Sequence, residues 1–447
     1  MGVRRGSLGF VLGALVPLGA VMIAASPANA AVSCDKIAAV DGSDGGAGTL
    51  ASPYGTPQRV IDSLAPGQTG CLRGGTYTFS ETDVTTPNIT LSPYGDESVT
   101  LKGSIKVKPP GHHSTIEGMK LNGAGGTSSI GPKIYADGTV LRDNEITNGH
   151  AEICVQVSAW YDGPAPEGVV IERNRIHHCG EIPSTNMDHG IYLSEARDVI
   201  VRDNWIYDNA DRGVQQYFEV EGARITGNVI FNNGDGVNFS GGSDQIVAGN
   251  IIAGSDLGWN VYAGSTGSPG EGALRDNCVH ADNSGYTSNG GVDSSNVFSE
   301  ARNLVAKPSF ADPAAGDFRL KAGNACLAKY TGTMALPAGG QVPPPPPPPS
   351  PPPTGGPRAV TLRASARSVS LGRPLKLRGS ALGSHSARRA VIQKRTHRQW
   401  KRVRALKLRD GRFALRLRAR TQERTLRFRA RVGQLGHSRT VLVKVKH

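Results

Sequence analysis

The stretch Ile200-Val201-Arg202-Asp203-Asn204-Trp205-Ile206-Tyr207 decides the fold, because its centre recurs along the chain. Asn followed two residues later by Ile or Val is found at Asn144/Ile146, Asn174/Ile176, Asn204/Ile206, Asn228/Ile230, Asn250/Ile252, Asn277/Val279 and Asn303/Val305, with gaps of 30, 30, 24, 22, 27 and 26 residues. Self-similarity at such a period marks a stack of short units. Val140-Leu141, Val170-Ile171, Ile200-Val201, Arg224-Ile225 and Ile246-Val247 precede the Asn residues with strand character and no helical period. A solenoid of short strands follows, with the seven Asn as structural corner residues: Asn tolerates the left-handed region, and its amide can donate and accept within a column.

A second strand begins at a Gly in each unit: Gly190-Ile191-Tyr192-Leu193, Gly213-Val214-Gln215-Gln216-Tyr217, Gly236-Val237-Asn238-Phe239 and Gly258-Trp259-Asn260-Val261. Alternation sends Ile191, Leu193, Val214, Val237, Phe239, Trp259 and Val261 into the core, and stacks Tyr192, Gln215, Asn238 and Asn260 outward about 4.8 Å apart. Upstream, Thr56 to Leu64 can form a short amphipathic helix with Thr56 as N-cap and Pro57 in the first turn, covering the open end of the stack.

The first thirty residues read as an export signal: Arg4-Arg5, an apolar run from Leu8 to Ala25, then Ala28-Asn29-Ala30. The pattern leaves the general and twin-arginine routes open. It places the mature chain outside the cell, in association with the wall or free of it, without a transmembrane segment and as a monomer. Six cysteines in an exported chain favour disulfides over metal sites, since no close Cys pair has His at ligand spacing. Sequence order favours Cys34 with Cys71, Cys154 with Cys179, and Cys278 with Cys326, with buried thiols as the alternative for the middle pair.

Charge divides the chain. Residues 357–447 hold 27 Lys and Arg against Asp410 and Glu423, a net of +25, leaving 23 against 35 in residues 1–356, a net of −12. The boundary is a Pro run, Pro343–Pro349 and Pro351–Pro353, whose polyproline II form would span about 34 Å. Beyond it Leu406-Lys407-Leu408-Arg409, Phe413 to Arg418, Leu426 to Arg429 and Val441 to Lys446 alternate apolar with basic residues, as in a small antiparallel sandwich with a cationic face. Such a face suits acidic wall polymers or acidic polysaccharide; with only Trp400, Phe413 and Phe428 to stack bases, specific nucleic-acid recognition is not expected.

These residues resemble the right-handed parallel β-helix superfamily, the pectate-lyase-like fold, over roughly residues 36–330. Asp41 to Gly48 with Arg73-Gly74-Gly75-Thr76-Tyr77 looks like the opening segment of secreted members, and Asp312 to Leu320 followed by Gly323 like their closing segment. Residues 357–447 are similar to bacterial immunoglobulin-like appendages, from Val360-Thr361-Leu362 through Asp410-Gly411-Arg412-Phe413. The resulting organisation is a signal peptide at 1–30, a β-helix at 31–335 with its cap and first coils at 31–110, a Pro-rich linker at 336–356 and a basic sandwich at 357–447. The fold class is all-β: a right-handed parallel β-helix followed by a small antiparallel β-sandwich.

The resemblance also implies a groove for an extended sugar chain on the outer face of one sheet. His189, Arg212 and Asp235 precede successive strand glycines, so stacking would align a base, a cation and a carboxylate. That set suits β-elimination or C5-epimerisation of uronates, in which the sugar carboxylate is neutralised while the neighbouring proton is removed. Arg212 or a bound Ca²⁺ would neutralise, His189 abstract, and Tyr192 or Tyr217 protonate the leaving oxygen; Asp188, Gln215, Asn238, Glu219 and Tyr262 would bind substrate, with Lys133 and Glu152 on earlier coils. Asp188-His189 resembles the Asp-Pro-His motif of mannuronan C5-epimerases without its proline, and the Trp-Ile-Asp-His signature of pectate lyases is absent. Hydrolysis would need two facing carboxylates, which Asp235 with Asp188 or Glu219 could supply. The structural alternatives are a His189 that only makes a turn and an Arg212–Asp235 surface ion pair. His177-His178 near Glu181 reads as a solvated turn, its adjacent rings pointing apart. At the level of the whole chain the alternative is a non-catalytic glycan- or surface-binding rod.

Overall fold

The computed structural model describes residues 1–2, 33–126, 130–160, 163–217, 219–263, 272–294, 298–336, 360–365, 368–371, 373–381, 389–396, 399–408, 412–418, 425–431 and 441–446. The expected export signal from residue 3 onward, the proline run, and Asp410-Gly411 of the immunoglobulin-like resemblance lie outside the described residues.

Short strands form wherever two or three apolar residues separate turn residues, and they stack in parallel as a solenoid. Its first face is an 11-stranded parallel sheet that includes Val140–Arg142, Val170–Glu172, Ile200–Arg202, Arg224–Thr226 and Gln245–Ala248. The other two faces belong to one 17-stranded sheet. On one of them Glu145–Thr147, Arg175–His177, Trp205–Tyr207, Val229–Phe231 and Ile251–Ala253 stack in order. On the other, Val155–Val157, Ile191–Leu193, Arg212–Gln216, Asp235–Phe239 and Val261–Ala263 do the same. The inward side chains make one continuous core from Ala38 to Phe298. Pro57–Ser63 is the expected helix, capped by the Thr56 hydroxyl accepting from the Arg59 N–H at 3.2 Å, and it buries Val60 and Ile61 over the end of the stack.

The seven ladder Asn form one unbroken column. From Asn144 to Asn277, each backbone N–H and each side-chain Nδ2 donates to the Oδ1 of the next Asn at 2.9 to 3.1 Å. Each Nδ2 also donates to a carbonyl of the coil before it, as Asn204 does to Ile171 O at 2.9 Å. The left-handed conformation, expected of the Asn, belongs instead to the residue before it: Asp143, Arg173, Asp203, Gly227, Gly249, Asp276 and Arg302 have φ between 52 and 69°. The corner is turned there, and at Asn144, Asn204, Asn228, Asn250 and Asn277 the amide closes it by bonding two residues back, as from Asn204 to Arg202 O at 3.0 Å. A shorter second column, unforeseen in the sequence, joins Cys179 N–H to Asn209 Oδ1 at 3.1 Å and Asn209 N–H to Asn233 Oδ1 at 3.2 Å.

The expected core residues Ile191, Leu193, Val214, Val237, Phe239 and Val261 are buried, but the fourth unit slips by two residues. Val237 pairs with Val261 rather than Trp259, so Tyr262 takes the outward place expected of Asn260. Asn260 is buried, and its amide donates to His280 O and Gly290 O at 2.8 Å each, holding a corner. Gln216 lies in the apolar column between Leu193 and Phe239, fully buried, and neither its Oε1 nor its Nε2 has a partner.

All three expected disulfides are present: Cys34–Cys71, Cys154–Cys179 and Cys278–Cys326. The last ties the closing segment to the solenoid. That segment folds back, packing Phe310, Phe318, Leu320 and Tyr330 over the outer sides of Trp205, Tyr207, Val229 and Ile251. Asp203 accepts from the Thr333 and Met334 N–H groups at 2.7 and 3.0 Å. Gly249 has to be glycine, because a Cβ there would lie 2.1 Å from the Thr331 hydroxyl.

Beyond residue 359 the strands form a three-stranded sheet, Val360–Ala364, Pro374–Ala381 and Arg412–Arg418, and a five-stranded sheet holding the other strands. Their apolar faces share one core that includes Leu362, Leu377, Phe413, Phe428 and Val443. Pairing is antiparallel except that Ser368–Ser370 runs parallel to Val441–Lys446. The immunoglobulin-like resemblance rests on sequence alone.

Two stability measurements probe this architecture. Asn204→Ala strands the buried Asn174 N–H, so denaturant unfolding should show a loss of about 3 kcal/mol, against a much smaller loss for Asn303→Ala at the half-exposed last rung. Gln216→Met removes an unsatisfied buried amide at nearly constant volume and should stabilise the fold by about 1–2 kcal/mol; a destabilised variant would mean that the amide is satisfied.

Candidate functional site

In-register stacking builds the outer surface of the third face. Lys133, Gln156, Tyr192, Gln215, Asn238, Tyr262 and Asp293 pair in sequence, one per coil, which puts Lys133 in this column. At the strand starts, Arg212 pairs directly with Asp235, and His189 lies on the coil before Arg212, where the Gly190 N–H donates to Arg212 O at 2.9 Å. The three residues are vertical neighbours, yet their side chains part company.

Arg212 and Asp235 face an open cavity of about 450 Å³, with Arg212 Nε 3.4 Å from Asp235 Oδ2. Asp211, buried beneath, holds the rim loop: it accepts from the Asn186 and Asp188 N–H groups at 3.0 and 2.8 Å and from the Ser184 hydroxyl. Asn186 in turn accepts from the Arg212 guanidinium through its side-chain oxygen, and through its carbonyl at 3.3 Å. The far wall is aromatic, made of Trp259, Tyr262 and Tyr286, with Trp259 edge-on to Tyr286 at 5.0 Å between ring centres. Gly258 lies between wall and floor; a Cβ there would stand 2.0 Å from Asp235 Oδ1. Burial raises the Asp235 carboxyl above the ordinary aspartate range, while Arg212 pulls the other way.

His189 sits behind this cavity, 3 % exposed, with Nδ1 unpartnered and its ring 5.7 Å from that of Tyr192. Burial, reinforced by the Arg212 charge and opposed by Asp211, pushes its imidazole down to about 3. It is therefore neutral in the fold and is not part of the cavity lining. Of the other anticipated residues, Asn238 and Tyr262 line the cavity. Tyr192 is half-buried two coils from Asn238, and burial raises its phenol. Gln215 is buried, its amide donating to Gln216 O at 2.8 Å. Asp188 accepts from the Thr185 hydroxyl at 3.0 Å, while Tyr217 and Glu219 follow the strand end outside the lining, Glu219 in a left-handed turn.

Sequence reading gave Asn186 no role, missed Asp211 and Tyr286, and assigned Trp259 to the core. The Asp211-Arg212 doublet beside a strand Gly was the available signal for Asp211. Tyr286 is brought in by a loop from the following coil and leaves no periodic trace.

His177 and His178 do not point apart: His178 is left-handed at φ 54°, which brings the two Nδ1 atoms to 2.7 Å. Burial, then the neighbouring His178, lowers His177 to about 4, and its ring stacks on Tyr207. Among the described residues no group of three or more His, Cys, Asp or Glu is arranged to hold a metal ion.

A pH titration tests the burial of His189. Its folded value near 3 lies below the 6.5 of an exposed imidazole, so the unfolded chain takes up the proton first. Stability should be lost as pH falls from about 6.5 towards 3, and the fall in melting temperature should be shallower in His189→Gln. Parallel profiles for the two proteins would mean that the imidazole is charged in the fold.

Among known proteins, residues 107–269 match the family model described as "Right handed beta helix region". No curated protein is a significant sequence match. Similar solved structures include pectate lyase Pel9A, at 11 % identity and TM-score 0.48 over 63 % of this chain and 80 % of that one. An alginate lyase from Paenibacillus sp. reaches 15 % identity and TM-score 0.38 over 55 % and 91 %. The A-module of an Azotobacter vinelandii mannuronan C-5 epimerase reaches 14 % and 0.28 over 55 % and 89 %. Matched family region and observed coils agree, and the central part of this chain is a right-handed parallel β-helix.

Proposed function

We propose that this is an exported protein that acts on acidic, uronate-containing polysaccharide by β-elimination or C5-epimerisation in the cavity around Arg212 and Asp235. The observation that carries the reading is the pairing of a guanidinium with a carboxylate of raised pKa on the floor of an open, aromatic-walled groove. Aromatic walls accept the apolar faces of sugar rings, and a guanidinium fork suits the sugar carboxylate. Export fits three disulfides, which persist in oxidising compartments.

The chemistry assigns roles that differ from the arrangement expected of the sequence. Arg212 binds the uronate carboxylate and stabilises the negative charge that builds on it. Asp235, ionised above its raised pKa, accepts the proton from C5 in place of the buried His189. In elimination the electron pair forms the C4–C5 double bond, the C4–O bond breaks, and the Tyr262 hydroxyl returns a proton to the leaving oxygen. In epimerisation Asp235 keeps the abstracted proton while the Tyr262 hydroxyl delivers another to C5 from the opposite face, and the chain stays intact. His189 packs behind Arg212 as a neutral positioning residue.

Incubation with polygalacturonate, alginate and glycosaminoglycans distinguishes these outcomes: elimination raises ultraviolet absorbance, and epimerisation alters the NMR spectrum of the polymer without cleavage. Asp235→Asn and Arg212→Ala should each lower the rate about 100-fold or more, and the wild-type rate should rise with pH through the elevated Asp235 pKa. Full activity in Asp235→Asn would remove the assigned base. No change in any uronate polymer would leave a binding rod.

A further inference from the structure

The three-stranded sheet beyond residue 359 has one buried apolar face and one basic face. Its inner residues Leu362, Leu375, Leu377, Phe413 and Leu415 are buried in the shared core. The alternate positions carry Arg363, Lys376, Arg378, Arg412, Arg416 and Arg418 on the other side. Antiparallel register sets Arg363 directly across from Arg378 and Lys376 directly across from Arg416. Like charges directly opposite one another weaken a sheet, and none of the six has an acidic partner among the described residues. The segment can neutralise at most two of the six from within, because residues 357–447 contain only two acids. Arg363, Lys376, Arg378 and Arg412 border an open cavity of about 510 Å³ on this face.

We infer that this face binds a linear polyuronate, the polymer class on which the helix cavity is proposed to act, and so tethers the protein to its substrate; the choice of polymer rests on that reading. Strand spacing of about 4.8 Å, and roughly 6.8 Å between alternate residues along a strand, gives a lattice of cations that an extended chain of regularly spaced carboxylates can follow. Five of the six cations are arginines, whose forks bind carboxylates in pairs. The face positions contain no aromatic ring, and Phe413 and Phe428 are turned into the core, so the polymer is held by its charges and not by its sugar faces. The site is a tether that tolerates variation in sugar sequence, whereas the helix groove, with its Trp and Tyr walls, reads the ring.

The test uses the full chain on immobilised polygalacturonate with a salt gradient. The triple variant Arg363→Gln, Arg378→Gln, Arg412→Gln should elute at clearly lower salt, with affinity about tenfold or more weaker, while turnover of a trisaccharide uronate is unchanged. A matched control, Arg402→Gln, Arg404→Gln, Lys407→Gln on the five-stranded sheet, should retain most of the binding. Equal losses in the two triples would reduce the effect to net charge and overturn the site, as would wild-type retention in the first triple. Displacement by inorganic polyphosphate at a hundredfold lower charge concentration than by soluble polyuronate would assign the face to phosphate polymers and overturn it too. Binding that depends on the face without any turnover would uphold the tether and reject the proposed catalysis; turnover with no dependence on the face would do the reverse.

Discussion

The hydrogen bond from one coil's N–H to the next coil's Asn side chain is the constraint on which this molecule depends. A parallel coil can slide over its neighbour by two residues and still keep its apolar side chains inward, so the core alone does not settle the register. The buried Asn column does. An Oδ1 that accepts two bonds from the coil before it has one position in which both are made, and a slip would leave them unmade in an environment without water. The left-handed residue ahead of each Asn turns the corner, and at five of the seven the amide reaches back and closes it.

Register then becomes chemistry. Because successive coils stack without offset, residues 23 positions apart in the chain become neighbours, and Arg212 lands on Asp235. The fourth coil departs by two residues, and that departure opens the site: Trp259 leaves the core and becomes a wall, Gly258 gives the Asp235 carboxylate room, and Tyr262 turns outward. The site gathers uncompensated polarity as well. His189 Nδ1 is buried without a hydrogen-bond partner, Arg212 Nε meets Asp235 only as an ion pair at 3.4 Å, and Gln216 is stranded on the core side of the same strand as Arg212. Functional sites concentrate such costs.

The division of charge has a physical consequence of its own. A helix region with net negative charge would tend to repel an acidic polymer at long range, with Arg212 attracting it only at contact. An appended segment of net +25 reverses the sign for the chain as a whole, so any attraction of a polyanion at long range would come from that segment. The apolar-basic alternation that makes the sheets fold also arrays the charges, since one face of each strand must be buried and the other must be wet.

The solenoid, its strands, the capping helix, the three cysteine pairs and most of the core were legible in the sequence, because each depends on local spacing: the Asn repeat, period-two alternation and cysteine order. The stacking of Arg212 on Asp235 was legible for the same reason. The direction each polar side chain takes at the end of its strand was not, because it depends on how far the surrounding coils bury it. His189 and Arg212 occupy equivalent positions, yet one is sealed behind Tyr192 and neutral while the other reaches the rim loop held by Asp211. Trp259 was misplaced because an irregular coil lengthens without changing composition, and Tyr286 entered through a loop that no period describes. Repetition along the chain determined the rod; only packing between coils, through burial and the loops that break the repeat, decided which charges face the groove.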